Sequence, residues 1–223
     1  MLKLMKMLSE QSSSESKMNM LFYVVVGSML LIYLFRAAIG YRRYKSSIFP
    51  QVYDNYLFDY FYKVNVTQDP SRSNRLKKTL GYHRIVYAQI ANKEGKLVSQ
   101  VMTIIHTKGI LSIAYLNLKG KLSGLESGEW IIRRTEEGNE KKFKIENPLT
   151  YLREYVKHLG EVLEGRNVES AIALNDDCDF SDVHIKEKVL AYKDVPQLIA
   201  SADCGYGLNN EEIDEIYKKL GGK

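Results

Sequence analysis

The 223-residue sequence predicts a mixed α/β (α+β) fold, a central mixed sheet flanked by helices, preceded by one transmembrane helix. Three observations carry that expectation. An uncharged apolar run lies near the N-terminus, short strand-like segments begin past residue 80, and helical periodicity joins the strands only after residue 146. The length suits one ordinary domain plus an anchor. A domain of about 150 residues buries enough surface to fold without disulfides. Cys178 and Cys204 form no metal or redox motif and are expected as free, buried thiols.

Residues 18–35 hold no charged group. At about 1.5 Å per residue the run nearly crosses a hydrocarbon core of about 30 Å, and a snorkelling Arg36 extends it to residue 39. It has no polar stripe of the kind a core helix shows. Lys3, Lys6 and Lys17 precede the run, whereas Arg36, Arg42, Arg43 and Lys45 follow it. That excess directs the C-terminal side to the cytoplasm and leaves residues 1–17 as a mobile external tail. The same four C-terminal cations are the expected lipid-headgroup contacts. A cleaved signal peptide is the competing reading. Against it, the run exceeds a usual signal core and no A-x-A cleavage site follows.

Residues 1–80 carry 12 Lys/Arg against 5 Asp/Glu, and residues 81–223 carry 20 against 22. The basic excess therefore belongs beside the anchor. A domain built to neutralise phosphates shows the opposite bias, so nucleic acid is not an expected partner. Aromatics crowd residues 41–62. They suit an interfacial segment, or equally a helix whose Tyr53, Tyr56, Leu57, Tyr60 and Phe61 pack on the domain. Residues 40–75 read as a basic, aromatic juxtamembrane segment and linker, and residues 76–223 as the soluble domain.

Within the domain, residues 84–90, 96–106 and 110–118 read as strands separated by turns at 91–95 and 107–109. The third is apolar nearly throughout, which predicts burial on both faces. Residues 130–134 and 142–145 form a hairpin. Asn147 and Pro148 suit the cap and first position of a helix carrying Leu149, Leu152, Val156, Leu159 and Leu163. A strand at 168–174, another at 188–192, a short helix at 195–201 and a capped helix ending at Leu220 complete the chain. Gly120, Gly124 and Gly128 read as turn glycines, since they do not follow a phosphate-loop pattern.

From residue 76 to 220 this layout resembles the NERD domain, the nuclease-related domain of bacterial proteins. The resemblance rests on Gln100 before the second strand, Gly109 entering the third, Lys119 and Gly120 closing it, then Gly124, Trp130, Asn147, Pro148 and the terminal helix. It implies a restriction-endonuclease-like fold. It also implies an active site with an acid on the second strand and an acid and a lysine, one residue apart, on the third. Carboxylates there would hold Mg²⁺ and the lysine would support the attacking water. The matching positions are Met102, Ala114 and Leu116, none of which can bind a cation or move a proton. A shift by one substitutes Thr103 and Tyr115, and residues 97–118 contain no Asp or Glu.

The expectation is therefore a membrane-anchored, catalytically inactive interaction or scaffold module, with membrane lipid and an unidentified protein as partners and no cofactor. An active Mg²⁺-dependent nuclease with relocated acids, such as Glu94, Glu126 or Asp176, is the second expectation. A ligand or peptide sensor with a closed pocket is the third. His83, His106, His158 and His184 lack metal-ligand spacing, and Asp176, Asp177 and Asp179 read as a solvated loop. No feature of the sequence specifies an oligomeric state.

Overall fold

A computed structural model describes residues 2–92, 94–136 and 138–222, with residues 2–19 and 136 as backbone only. Helix α1 (Leu2–Lys45) is continuous through the expected N-terminal tail. A helix nucleated in the apolar run propagates readily through the Leu, Met and Lys residues of 2–8, but less favourably through the serines of residues 9–16. Residues up to Arg43 form one compact unit and residues from Tyr44 a second. The domain boundary expected between residues 75 and 76 thus lies 32 residues earlier. Ile48, Val52 and Tyr53 have no exposed surface, so the supposed linker is part of the core.

The second unit opens with α2 (Phe49–Val52), a π-helix (Tyr56–Val66) and α3 (Asn74–Leu80). Three antiparallel strands follow: β1 (His83–Ala91), β2 (Leu97–His106) and β3 (Gly109–Leu116). The chain continues through β4 (Gly120–Leu125), β5 (Trp130–Glu136), β6 (Asn139–Ile145) and α4 (Pro148–Val162). Then come β7 (Glu169–Leu174), β8 (Cys178–His184), β9 (Lys188–Ala191), a 3₁₀ turn, α5 (Val195–Ser201) and α6 (Asn210–Lys219).

Two mixed sheets result, where the sequence suggested one. The first has the order β1-β2-β3-β7-β9, with β3, β7 and β9 parallel. The second has the order β6-β5-β4-β8, with β4 and β8 parallel. Adjacent strands therefore pass together from one sheet into the other, β3 into β4 beside β7 into β8. Asn175, at this bend, is buried and donates from Nδ2 to Asn117 Oδ1 at 2.7 Å, while its N–H reaches the Leu116 carbonyl at 3.2 Å. Strands β4 and β8 escaped the sequence reading because glycines and aspartates punctuate them. Gly120 and Gly124 lie inside β4, so neither is a turn glycine.

Both faces of the five-stranded sheet are covered, as the run of apolar residues in β3 requires. Met102, Ile104, Leu111, Ile113 and Tyr115 pack against Ile48, Val52, Tyr53 and the α5 residues Val195, Leu198 and Ile199. On the other face Val101, Ala114 and Ile172 meet Leu149 and Leu152 of α4, with Trp130, Leu122 and Ile132 from the second sheet. Beside them Ile105 and Ile110 pack on Ile213 and Ile216 of α6.

Trp130 has no exposed surface and donates from Nε1 to the Leu125 carbonyl at 3.1 Å. A Cβ on Gly124 would lie 2.6 Å from its indole ring. The hydrogen bond holds the ring in place, so Gly124→Ala is expected to cost roughly 1–3 kcal/mol as overpacking. Thermal melting of the detergent-solubilised chain checks this, and an unchanged melting temperature contradicts it.

His106 ends β2 with no exposed surface. Its Nδ1 accepts the Lys108 N–H at 3.3 Å, so Nε2 carries the proton, and Nε2 has no hydrogen-bond partner. Burial, reinforced by Lys108, pulls its pKa down to about 4. The unfolded chain takes up this proton near pH 6.5 and the folded chain only near 4. Stability therefore falls as pH drops through that window, by roughly 3 kcal/mol in all, and this contribution levels off below it. The His106→Asn variant should show a shallower loss between pH 7 and 4 in denaturant titrations. A slope equal to the parent's rejects the assignment.

Candidate functional site

The positions matched to the nuclease-related active site do not converge. Cross-strand register pairs Met102 with Ile113 and Val101 with Ala114. Side chains alternate along a strand, so Met102 lies on the face covered by α2 and α5, and Ala114 and Leu116 on the opposite face. The shifted pair, Thr103 and Tyr115, is likewise split between faces. Ala114 is fully buried among apolar neighbours, a setting in which a carboxylate would carry a heavy desolvation cost.

Thr103 nevertheless has polar company. Its hydroxyl lies 3.0 Å from Ser112 Oγ and 3.1 Å from Tyr155 OH, beneath α4. Burial raises the Tyr155 pKa. Three neutral hydroxyls then satisfy one another, with no base to activate any of them. They act as a buried cross-link between β2, β3 and α4.

The residues that carry the family resemblance are structural. Gln100 lies within β2, not before it. Gly109 has φ 128°, and a Cβ there would lie 2.4 Å from Cys204 Cβ. Gly120 has φ 106° and would meet the Arg133 carbonyl at 2.3 Å. Asn147 caps α4, accepting the Leu149 N–H at 3.0 Å ahead of Pro148. Its Nδ2 reaches the Leu125 carbonyl at 3.3 Å, the acceptor that Trp130 also uses. Gly124, Trp130 and Asn147 thus form one packing and hydrogen-bonding unit around a single carbonyl. The Lys119 ammonium pairs with Asp177 at 2.7 Å.

The candidate relocated acids are dispersed over separate elements. Glu94 lies between β1 and β2, Glu126 between β4 and β5, and Asp176 after β7. Glu126 accepts from Arg153 at 2.5 Å and from the Lys186 N–H at 2.6 Å. Asp176 accepts the Lys193 N–H at 2.9 Å, and Asp179 the Ser181 N–H at 3.0 Å. Among the described residues no group of three or more His, Cys, Asp or Glu could hold a metal ion. Cys178 and Cys204 are both free and buried, as expected. Burial pushes the Cys178 thiol up to about 11 and raises that of Cys204, so neither supplies a thiolate at neutral pH.

Glu94, Glu146, Thr150, Tyr151 and Glu154 line an open groove of about 840 Å³ beside α4. It is not the closed pocket expected of a sensor. Its best-placed acceptor is already occupied, since Glu146 takes hydrogen bonds from Asn92 at 2.6 Å and Tyr151 at 2.5 Å. Across the second sheet, Lys121, Arg133 and Lys142 stand in one cross-strand row. Strand β8 answers this row with Asp179 and Asp182, the latter 2.9 Å from Lys121. The row ends on β6, an edge strand whose Lys141, Lys142 and Lys144 are exposed, a composition that discourages pairing with another chain.

The N-terminal helix is the functional feature with the clearest physical signature. Residues 20–45 have mean hydropathy 2.0 over their most apolar window, none of it buried. Leu21, Phe22, Leu31, Tyr33 and Phe35 are each at least 64% exposed, far more apolar surface than a water-soluble monomer leaves uncovered. Arg36, Arg42, Arg43 and Lys45 are all exposed in the last turns of α1, where the helix dipole also favours cations. Length and composition fit a membrane span and a signal sequence alike. No family model, curated protein or solved structure matches the chain.

Proposed function

We propose that this chain is a single-pass membrane protein whose C-terminal domain, on the cytoplasmic side, is a nuclease-related fold without nuclease chemistry and serves as an interaction or scaffold module. The uncovered apolar helix carries the anchoring half of this reading. Its C-terminal cations support the direction and suit anionic headgroups. The family assignment rests on three antiparallel strands followed, after a helix, by parallel strands in one sheet with helices on its faces. The loss of chemistry rests on acid-free central strands and on the split of Met102 from Ala114 and Leu116 across the sheet. Membrane lipid and a protein are the partners of this reading, with no cofactor.

Two measurements test the halves separately. Native membranes extracted with alkaline carbonate should retain the chain in the pellet at its full-length mass. A shortened, released product would establish a cleaved signal instead. The purified chain with Mg²⁺ should leave single- and double-stranded DNA and RNA intact. Chelator-sensitive cleavage, lost on Glu94→Gln, Glu126→Gln or Asp176→Asn, would establish the nuclease alternative.

A further inference from the structure

The π-helix divides its residues between two environments. Asp59 is 1% exposed and Tyr60 packs on the core, whereas Leu57, Phe58, Tyr62 and Val66 are 55%, 73%, 52% and 59% exposed. Steps of four and five residues match the wide turn of this helix, so the four outward residues share one side of it. Asn65, also on that side, turns its amide back to the Phe61 carbonyl at 3.3 Å. The result is a continuous apolar stripe, distinct from singly scattered surface hydrophobics.

The stripe is held rigidly from behind. Asn55 caps the helix through the Leu57 N–H at 3.0 Å. The Asp59 carboxylate accepts the Asn74 N–H at 3.1 Å and pairs with Lys63 at 3.1 Å. Lys63 also donates to the Arg72 carbonyl at 3.0 Å. The Tyr44 ring stands 4.9 Å from that of Tyr56 and 4.8 Å from that of Tyr60. Tyr44 follows Ile39, the end of the apolar run, by five residues, which span at most about 18 Å even when fully extended. The π-helix therefore stays within reach of the headgroup layer at whatever angle the domain takes to the anchor.

We propose that Leu57, Phe58, Tyr62 and Val66 form a second membrane contact, lying in the interfacial layer of the leaflet that receives the C-terminal end of α1. This inference rests on the reading of α1 as a membrane span. The occupant of the stripe is phospholipid: acyl carbons against Leu57, Phe58 and Val66, and headgroups at the Tyr62 hydroxyl. The exposed Arg42 and Lys45, at the end of α1, add attraction for anionic lipid. The domain is then held at two points and lies down on the bilayer in one orientation.

The test uses the full-length chain in vesicles of phosphatidylcholine and phosphatidylglycerol, with or without bromine on the upper acyl carbons. Three variants add a tryptophan to the parent, whose buried Trp130 supplies a common background: Leu31→Trp in the span, Phe58→Trp in the stripe and Phe143→Trp on β6. All three sites are exposed, so none disturbs the core. Brominated lipid should quench the added emission of Leu31→Trp and Phe58→Trp and leave Phe143→Trp unaffected. If Leu31→Trp is not quenched, the anchor reading fails and takes the stripe with it. Quenching of Leu31→Trp but not Phe58→Trp overturns the stripe alone. A blue-shifted, unquenched Phe58→Trp assigns the stripe to a second copy of the chain and overturns the proposal. Equal quenching at Phe143 shows contact without orientation, and also overturns the proposal.

Discussion

The hydroxyl of Tyr53 joins residues 44–80 to the sheet. It donates to the Pro70 carbonyl at 2.7 Å and meets Tyr87 OH on β1 at 2.9 Å, with its own ring fully buried. Burial raises the pKa of both phenols, so each keeps its proton to donate. Around this link Phe49 meets Tyr60, Tyr87 and Tyr115 edge-on or tilted, and Tyr44 and Tyr53 abut Tyr60. Contacts of this kind add modestly to the large apolar area that aromatic rings remove from water. Without them residues 44–80 would be the linker that their composition suggests. With them, the segment closes one face of the central sheet and carries the π-helix in a fixed place.

Much of the fold was legible because its signals are local. Alternation and turn residues marked β1, β2 and β3 to within a residue or two, and α5 was read at its observed bounds. Asn147 with Pro148 marked a helix start through chemistry that acts over three residues, and the cap expected of the last helix is a box of Asn209 and Glu212. Strands β4 and β8 were missed for the complementary reason. Gly120 and Gly124 serve contacts with Arg133 and Trp130 on the next strand, and look like turns until those neighbours are known. The aromatics of residues 41–62 carried two meanings at once, and only burial separates Tyr53 and Tyr60, facing in, from Phe58 and Tyr62, facing out.

At the positions matched to the nuclease-related pattern, the sequence showed composition and not placement. That β2 and β3 carry no carboxylate is plain from their letters, but the letters did not reveal that Met102 and Ala114 point to opposite faces. That depends on register, which the β2–β3 turn at residues 107 and 108 determines. The polar residues that do occur there, Thr103 and Ser112, are consumed by each other and by Tyr155. Among the buried side-chain groups of β2, His106 Nε2 is left without a hydrogen-bond partner.

The lysines of β6 gain weight from confinement. Under the proposed anchoring, chains would diffuse in two dimensions and neighbours held at one height would meet in few orientations, so the orientational entropy that normally opposes edge-to-edge strand pairing would already be largely lost. An uncharged edge would then zip neighbouring copies into a ribbon along the bilayer. The exposed lysines of β6, of which Lys144 is paired with Glu129 at 2.7 Å, disfavour the approach of two such edges, and salt screens charge repulsion only beyond about 8 Å. Under the proposed anchoring, a lysine-bearing edge of this kind disfavours edge-to-edge pairing of neighbouring copies.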